Sequence, residues 1–221
     1  MQGRQYSKKI LQQQLQLSQD KMRGVIIGGG SIKDYEYIRS LIKKDDYIIC
    51  ADGGYDHAKR MNLSPDVLIG DMDSIADVPK DVESIKYPCD KDFTDGELCV
   101  KYAKNKGIDS LLLLAMTSER LDHTINNILM LKGFPKATLE DEDNQIHILS
   151  DNLKIKGRKG ATLSILPLGG DLEGISTRGL LYALDNGTLF FGESRGNSNV
   201  ITEDECEISV KKGWGIVVIP R

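Results

Sequence analysis

Residues 67–74 read Val67-Leu68-Ile69-Gly70-Asp71-Met72-Asp73-Ser74, an apolar run that ends in two aspartates one residue apart. A strand with no polar residue of its own is buried on both faces, as strands of parallel sheets are. Side chains alternate along a strand, so Asp71 and Asp73 point the same way from its end. Two like charges set together call for a cation between them. Mg²⁺ suits such a pair, because it takes oxygen ligands and leaves positions for waters or substrate phosphates. Phosphate chemistry is therefore the first expectation.

The chain around this stretch repeats the pattern. Gly24-Val25-Ile26-Ile27 reads as a strand running into Gly28-Gly29-Gly30, and Tyr47-Ile48-Ile49-Cys50-Ala51 as another; helical spacing covers Tyr35 to Lys43 and His57 to Met61. Helix is predicted over Phe93 to Lys106, ending at Gly107, strand over Ser110 to Ala115, and helix over Leu121 to Leu131, stopped by Gly133 and Pro135. Apolar strands alternating with helices predict an α/β class: an N-terminal open parallel sheet of Rossmann-like type. From Ile146 onward short strands are parted by turn residues, among them the hairpin signal Asn186-Gly187, up to a last strand at Gly215 to Ile219. That texture predicts a smaller C-terminal antiparallel β-sandwich or barrel. The expected division is an extension over 1–21, helical or disordered, an α/β domain over 22–148 and a β domain over 149–221. Met22 is an alternative start, because the first strand follows it directly.

With 33 acidic against 29 basic residues the formal charge is −4, which gives no general electrostatic reason to bind nucleic acid or an anionic membrane. A phosphate-bearing ligand then needs local donors or a metal. Cys50, Cys89, Cys99 and Cys206 form no CxxC pair, so free thiols and a reduced, cytoplasmic setting are expected. The longest apolar run, Leu111 to Met116, is too short to span a bilayer, and the Gln-rich start lacks the apolar core of a secretion signal.

Ligands of parallel sheets gather at the carboxyl ends of the strands, where four polar loops are predicted. Gly28-Gly29-Gly30-Ser31 offers bare backbone to phosphates or simply a tight turn. In Ala51-Asp52-Gly53-Gly54 the acid is a ligand or the cap of the next helix. The third loop holds Asp71 and Asp73. In the fourth, Lys91-Asp92-Phe93-Thr94-Asp95-Gly96-Glu97, Thr94 and Glu97 match a capping box, Asp95 can supply a third carboxylate, and Lys91 a point charge for phosphate. Further on, Arg120 and His123 lie one helical turn apart, with Asp122 as a ligand neighbour or a surface partner. His57 and His147 read as structural.

The succession Ala-Asp-Gly-Gly (51–54), Gly-Asp-x-Asp-Ser (70–74), Lys-Asp-x-Thr-Asp-x-Glu (91–97), Arg-x-Asp-His-x-x-x-Asn (120–127) and Arg195-Gly196-Asn197-Ser198-Asn199 resembles the thiamine pyrophosphokinase family over about residues 22–221. The resemblance implies Mg²⁺-dependent transfer of a pyrophosphoryl group from ATP to the hydroxyl of thiamine, releasing AMP. It implies a nucleotide-binding α/β domain, a thiamine-binding β-sandwich, and a homodimer whose active sites lie between the α/β domain of one subunit and the β domain of the other. On that likeness Asp71, Asp73 and Asp95 hold Mg²⁺, and Asp52, Lys91, Thr94, Arg120 and Asp122 line the nucleotide. Arg120 joins the three aspartates as a catalytic residue, and Ser198 and Asn199 sit near thiamine.

One departure stands out. Where the family commonly has Gly-Gly before the Arg-x-Asp-His element, this chain has Ser118-Glu119, which crowds the phosphate approach and adds a negative charge. Two alternatives therefore stand beside the main reading: a related diphosphokinase acting on another small alcohol, and a catalytically silent protein that binds nucleotide or thiamine.

Overall fold

The structure, a computed structural model, describes residues 22–72 and 81–221. The 1–21 extension, Asp73 and Ser74 lie outside the described residues.

The apolar runs read from sequence are strands: β1 (Arg23–Ile27), β2 (Tyr47–Ala51), β3 (Val67–Gly70) and β5 (Ser110–Leu114). They pair in parallel with β4 (Glu83–Lys86) and β6 (Ala137–Glu140) in the order β6-β5-β1-β2-β3-β4. Helices α1 (Tyr35–Ser40) and α2 (Gly54–Arg60) cover one face, where Ile38, Ile42 and Ala58 meet Val25, Ile27 and Leu112. Helix α3 (Asp95–Lys106) covers the other, burying Leu98, Cys99 and Ala103 against Ile26, Ile49 and Ile69. Two-sided burial is what an uninterrupted apolar strand requires, at roughly 1.5–3 kcal/mol for each large aliphatic side chain removed from water. Thr94 caps helix α3, its Oγ1 accepting from the Glu97 amide at 3.2 Å, and Gly107 (φ +80) ends the helix. Helix α4 (Leu121–Met130) buries no residue fully.

The sequence separates a parallel sheet from an antiparallel sandwich, whereas the structure joins the two. One ten-stranded mixed sheet runs through both halves, because the antiparallel strands β7 (Asn144–Leu149), β14 (Gly215–Pro220), β9 (Thr162–Pro167) and β12 (Asn199–Val200) continue directly from β6. The expected boundary at 148 falls inside β7. A second, four-stranded antiparallel sheet holds β8 (Asn152–Lys156), β10 (Leu172–Arg178), β11 (Gly187–Leu189) and β13 (Glu205–Ser209). It closes a core with the large sheet: Ile155, Ile175, Cys206 and Ile208 face Leu163, Ile165, Val217 and Ile219. The sandwich is real, but one of its layers belongs to the long sheet. Asn186-Gly187 is no two-residue turn; Asn186 (φ 49) ends the connection that starts at Gly179 and leads from β10 to β11.

Candidate active site

Strand β1 lies between β5 and β2, and the chain winds outward from it in both directions, which opens a crevice at the carboxyl ends of these strands. The loops that follow β1, β2, β3, β4 and β5 meet there around a cavity of about 720 Å³. Its wall includes Gly28, Asp52, Asp71, Lys91, Asp95 and Glu119. The four polar loops expected from sequence thus converge, and the 115–120 loop joins them with Arg120 and, from α4, His123 and Asn127.

Three strand ends leave the sheet through positive φ at residues other than glycine: Asp52 (40°), Met72 (64°) and Ala115 (52°). Such backbone costs about 1–3 kcal/mol per residue and concentrates at functional sites. Gly28 is required by close approach, since a Cβ there would stand 2.6 Å from the Ala115 carbonyl oxygen. His57 holds the glycine loop from behind. Its Nε2 lies 2.7 Å from the Gly30 carbonyl oxygen and its Nδ1 2.7 Å from the Tyr35 hydroxyl. A carbonyl only accepts, so the ring carries its proton on Nε2 and accepts from Tyr35 at Nδ1. Burial lowers the His57 pKa and keeps the ring neutral. His57 is structural, as expected; that it braces the glycine loop is hidden in the sequence, because Gly30 is far from it in the chain.

The charges meet at Lys91. Its ammonium lies 3.1 Å from Asp95 Oδ1 and 3.8 Å from Asp71 Oδ2. Burial works against the lysine's charge, but the ion pair with Asp95 and the field of Asp71 outweigh it and raise its pKa. The Asp95 pKa is raised by burial; Lys91 opposes that shift, and the charges of Asp52 and Asp71 add to it. Three carboxylates therefore feel one another across the cavity, with an ammonium between two of them. Among the described residues no three His, Cys, Asp or Glu side chains form a ready cage for a metal. Mg²⁺ needs no such cage, since one or two carboxylates plus substrate phosphates and waters complete its shell. Asp71 and Asp95 fit that pattern.

Other expected residues take different places. Arg120 lines the cavity, yet its guanidinium is exposed and forks onto Asp122, with Nε at 3.0 Å and Nη2 at 2.6 Å from the two carboxylate oxygens. Asp122 lies outside the cavity wall, held below the usual carboxylate range, at about 2, by Arg120. Asn127, which sequence reading gave no role, donates to the Met116 carbonyl at 2.7 Å, and Thr124 Oγ1 accepts from the Ser118 amide at 3.1 Å. Both pin the loop to α4. Glu119 stands inside the cavity, each carboxylate oxygen 3.4 Å from Ser31 Oγ, so the departure in this loop puts a negative charge against the glycine loop. Ser198 and Asn199 do not line this cavity. Asn199 is buried and clamps the backbone of Tyr182, accepting from its amide at 3.0 Å and donating to its carbonyl at 2.8 Å.

A family model for the thiamin pyrophosphokinase catalytic domain matches residues 38–140, and one for the thiamin pyrophosphokinase vitamin B1 binding domain matches residues 144–214. Thiamine pyrophosphokinase 1 of Oryza sativa subsp. japonica is 28% identical over 195 residues, covering 73% of this chain and 74% of its own. Thiamine pyrophosphokinase of Bacillus subtilis (strain 168) is 27% identical over 170 residues, covering 71% and 78%. The crystal structure of thiamine pyrophosphokinase from Bacillus subtilis superposes with a TM-score of 0.80 over 90% of this chain and 98% of that one; at 22% identity this likeness speaks for the fold. Matched by both family models in succession, the chain belongs to the thiamin pyrophosphokinase family, a family of transferases.

Proposed function

We propose that the chain transfers the pyrophosphoryl group of ATP to the hydroxyl of thiamine with Mg²⁺, giving thiamine diphosphate and AMP. The observation that carries this reading is the convergence of the strand-end loops on one cavity in which Lys91 bridges Asp71 and Asp95. Attack of an alcohol on the β-phosphorus builds negative charge on phosphoryl oxygens, and fixed cations stabilise that charge without reorganising. Lys91 supplies a compact positive charge, and the Gly28–Gly30 backbone lets phosphates approach closely. Arg120 swings its fork from Asp122 to the phosphates, while Asp52 and Thr94 border the nucleotide. Asp71 and Asp95, together with Asp73, hold Mg²⁺, whose charge neutralises the transferred group when bound. Holding two substrates in line supplies much of the acceleration.

In this reading the halves divide the work, with nucleotide bound by residues 22–148 and thiamine by 149–221. The protein acts as a homodimer, so that Ser198 and Asn199 of one subunit approach the cavity of the other. Unpartnered apolar surface supports that assembly. Leu121, Ile125 and Leu129 repeat every fourth residue on α4 and are exposed, as are Leu181, Tyr182, Phe190 and Phe191 in the β half. The four free thiols agree with a reduced cytoplasm, and among the described residues no helix is long and apolar enough to cross a membrane.

Glu119 favours a second reading, binding without turnover, because its carboxylate repels phosphates at the glycine loop. Incubation with ATP, Mg²⁺ and thiamine separates the two. Equal amounts of AMP and thiamine diphosphate are expected; ADP as the stoichiometric product refutes pyrophosphoryl transfer, and nucleotide binding without AMP establishes the second reading. A panel of other small alcohols tests the acceptor, with thiamine expected to be preferred. Sedimentation at twice the 24.5 kDa chain mass is expected for the dimer, and a monomer refutes it.

A further inference from the structure

A second cavity, of about 510 Å³, shares no wall residue with the first. Arg23 and Ser110 open strands β1 and β5, and Lys136 immediately precedes β6, so this cleft reaches the amino ends of the parallel strands, away from the proposed catalytic loops. Its far side is built by Gln145 of β7 and by Arg158 and Arg221 of the β half. It therefore bridges α1 and the antiparallel strands.

The charge around it is unbalanced. Arg23 is committed, paired with Asp46 and donating to the Leu41 carbonyl at 2.9 Å. Lys136, Arg158 and Arg221 have no ion-pair partner among the described residues; Arg221 lies with its guanidinium carbon 3.6 Å from the Tyr37 ring centroid. The one acid in the wall, Glu140, is buried, and its oxygens are taken by the Tyr37 hydroxyl at 2.6 Å and the Gln145 amide at 2.8 Å. Among the side chains of the wall, three cations against one carboxylate leave two positive charges unanswered. Among the described residues Arg158 Nε, on a residue of the cavity wall, is buried with no hydrogen-bond partner. A buried donor left unpaired costs about 1–3 kcal/mol, so the fold maintains a polar deficit here that an acceptor-rich ligand would relieve.

We propose that this cleft is a second ligand site, built for a small organic molecule carrying a doubly charged phosphate group. Two guanidinium forks match phosphate oxygens in pairs, and the lysine adds a point charge. A dianion balances the excess, whereas a single carboxylate leaves half of it. The cavity is much larger than a phosphate ion, within the roughly 300–1,000 Å³ of small-molecule sites, and Leu41 and Leu112 give its wall an apolar portion for the ligand's carbon body.

Hydrogen–deuterium exchange of the full chain, without divalent metal, locates the binding. Inorganic phosphate and ribose 5-phosphate serve as probes. Both are expected to protect residues 136–140 and 156–160, ribose 5-phosphate at lower concentration because its body adds contact. Lys136→Ala, an exposed side chain whose loss leaves the fold intact, and Arg158→Gln are each expected to weaken this protection about tenfold, the equivalent of losing one charge-assisted hydrogen bond. Protection confined to 28–31 and 91–95 overturns the proposal, as does binding that both variants retain at wild-type strength.

Discussion

Replacing Lys91 by Met removes the ammonium that holds Asp71 and Asp95 together and leaves their charges facing each other. At 3.1 and 3.8 Å the two attractions amount to about 5 and about 4 kcal/mol for an effective dielectric constant near 20. Most of this is offset by the desolvation that the pair no longer suffers and by solvent, since the side chains are 12%, 23% and 27% exposed for Lys91, Asp71 and Asp95. A net loss of about 2 kcal/mol remains, or roughly 4–8 °C in Tm for a chain of this size. A divalent ion can replace the missing charge, so Mg²⁺ is expected to restore the stability of Lys91→Met and to stabilise it more than it stabilises the wild type. Turnover is expected to fall about 100- to 1,000-fold even with Mg²⁺, because the fixed charge on the transferred group is gone. Urea denaturation with and without Mg²⁺, beside a thiamine diphosphate assay, measures both effects. Unchanged stability without metal, or a Mg²⁺ response no larger than that of the wild type, refutes the view that Lys91 stands in the place of a cation.

Asp71→Asn and Asp73→Asn are expected to lose more than about 100-fold in turnover, far more than they lose in stability; unchanged activity in both variants refutes the metal assignment. Gly54→Ala drives a Cβ into the Ile27 carbonyl oxygen where α2 meets β1, and chemical denaturation should show a loss of about 1–3 kcal/mol; a neutral result contradicts the packing described. His147 is kept neutral by burial, which pushes its pKa down from the usual 6.5 to about 4. Above pH 6.5 its ring is neutral folded and unfolded alike, and between pH 6.5 and 4 only the unfolded chain takes up the proton. Stability should fall over that window by about 3 kcal/mol and level off below it. His147→Gln should lack this component, and parallel pH–stability curves for the two proteins contradict it.

What was legible in the sequence follows from how local each signal is. Strands β1, β2, β3 and β5 were visible because burial on both faces leaves no polar residue to break the run. Strand β4 escaped notice because Glu83-Ser84-Ile85-Lys86 is a charged edge, with only one neighbour to pair with. Strand β6 is short and ends in Glu140, whose burial is made tolerable by Tyr37 and Gln145, partners remote from any local pattern. The continuity of the long sheet depends on β14 lying between β7 and β9, a pairing between distant segments that no periodicity reports. The cavity wall was legible where polar residues follow apolar strands, as at Asp52 and Asp71, and where a helix cap opens, as at Asp95. It was not legible in its braces: His57 on Gly30 and Asn127 on Met116 act across the fold, and Asp122 faces Arg120 in a geometry that the spacing alone leaves open.

In the proposed function the distant acidic loops form one metal and nucleotide site. A crystal of the protein grown with Mn²⁺ and a non-hydrolysable ATP analogue tests it directly, because the metal is located by its own anomalous signal. A peak bound by Asp71 and Asp95 is expected, with the analogue's phosphates against Gly28–Gly30 and Lys91. A metal held elsewhere, or phosphates bound without these residues, contradicts it.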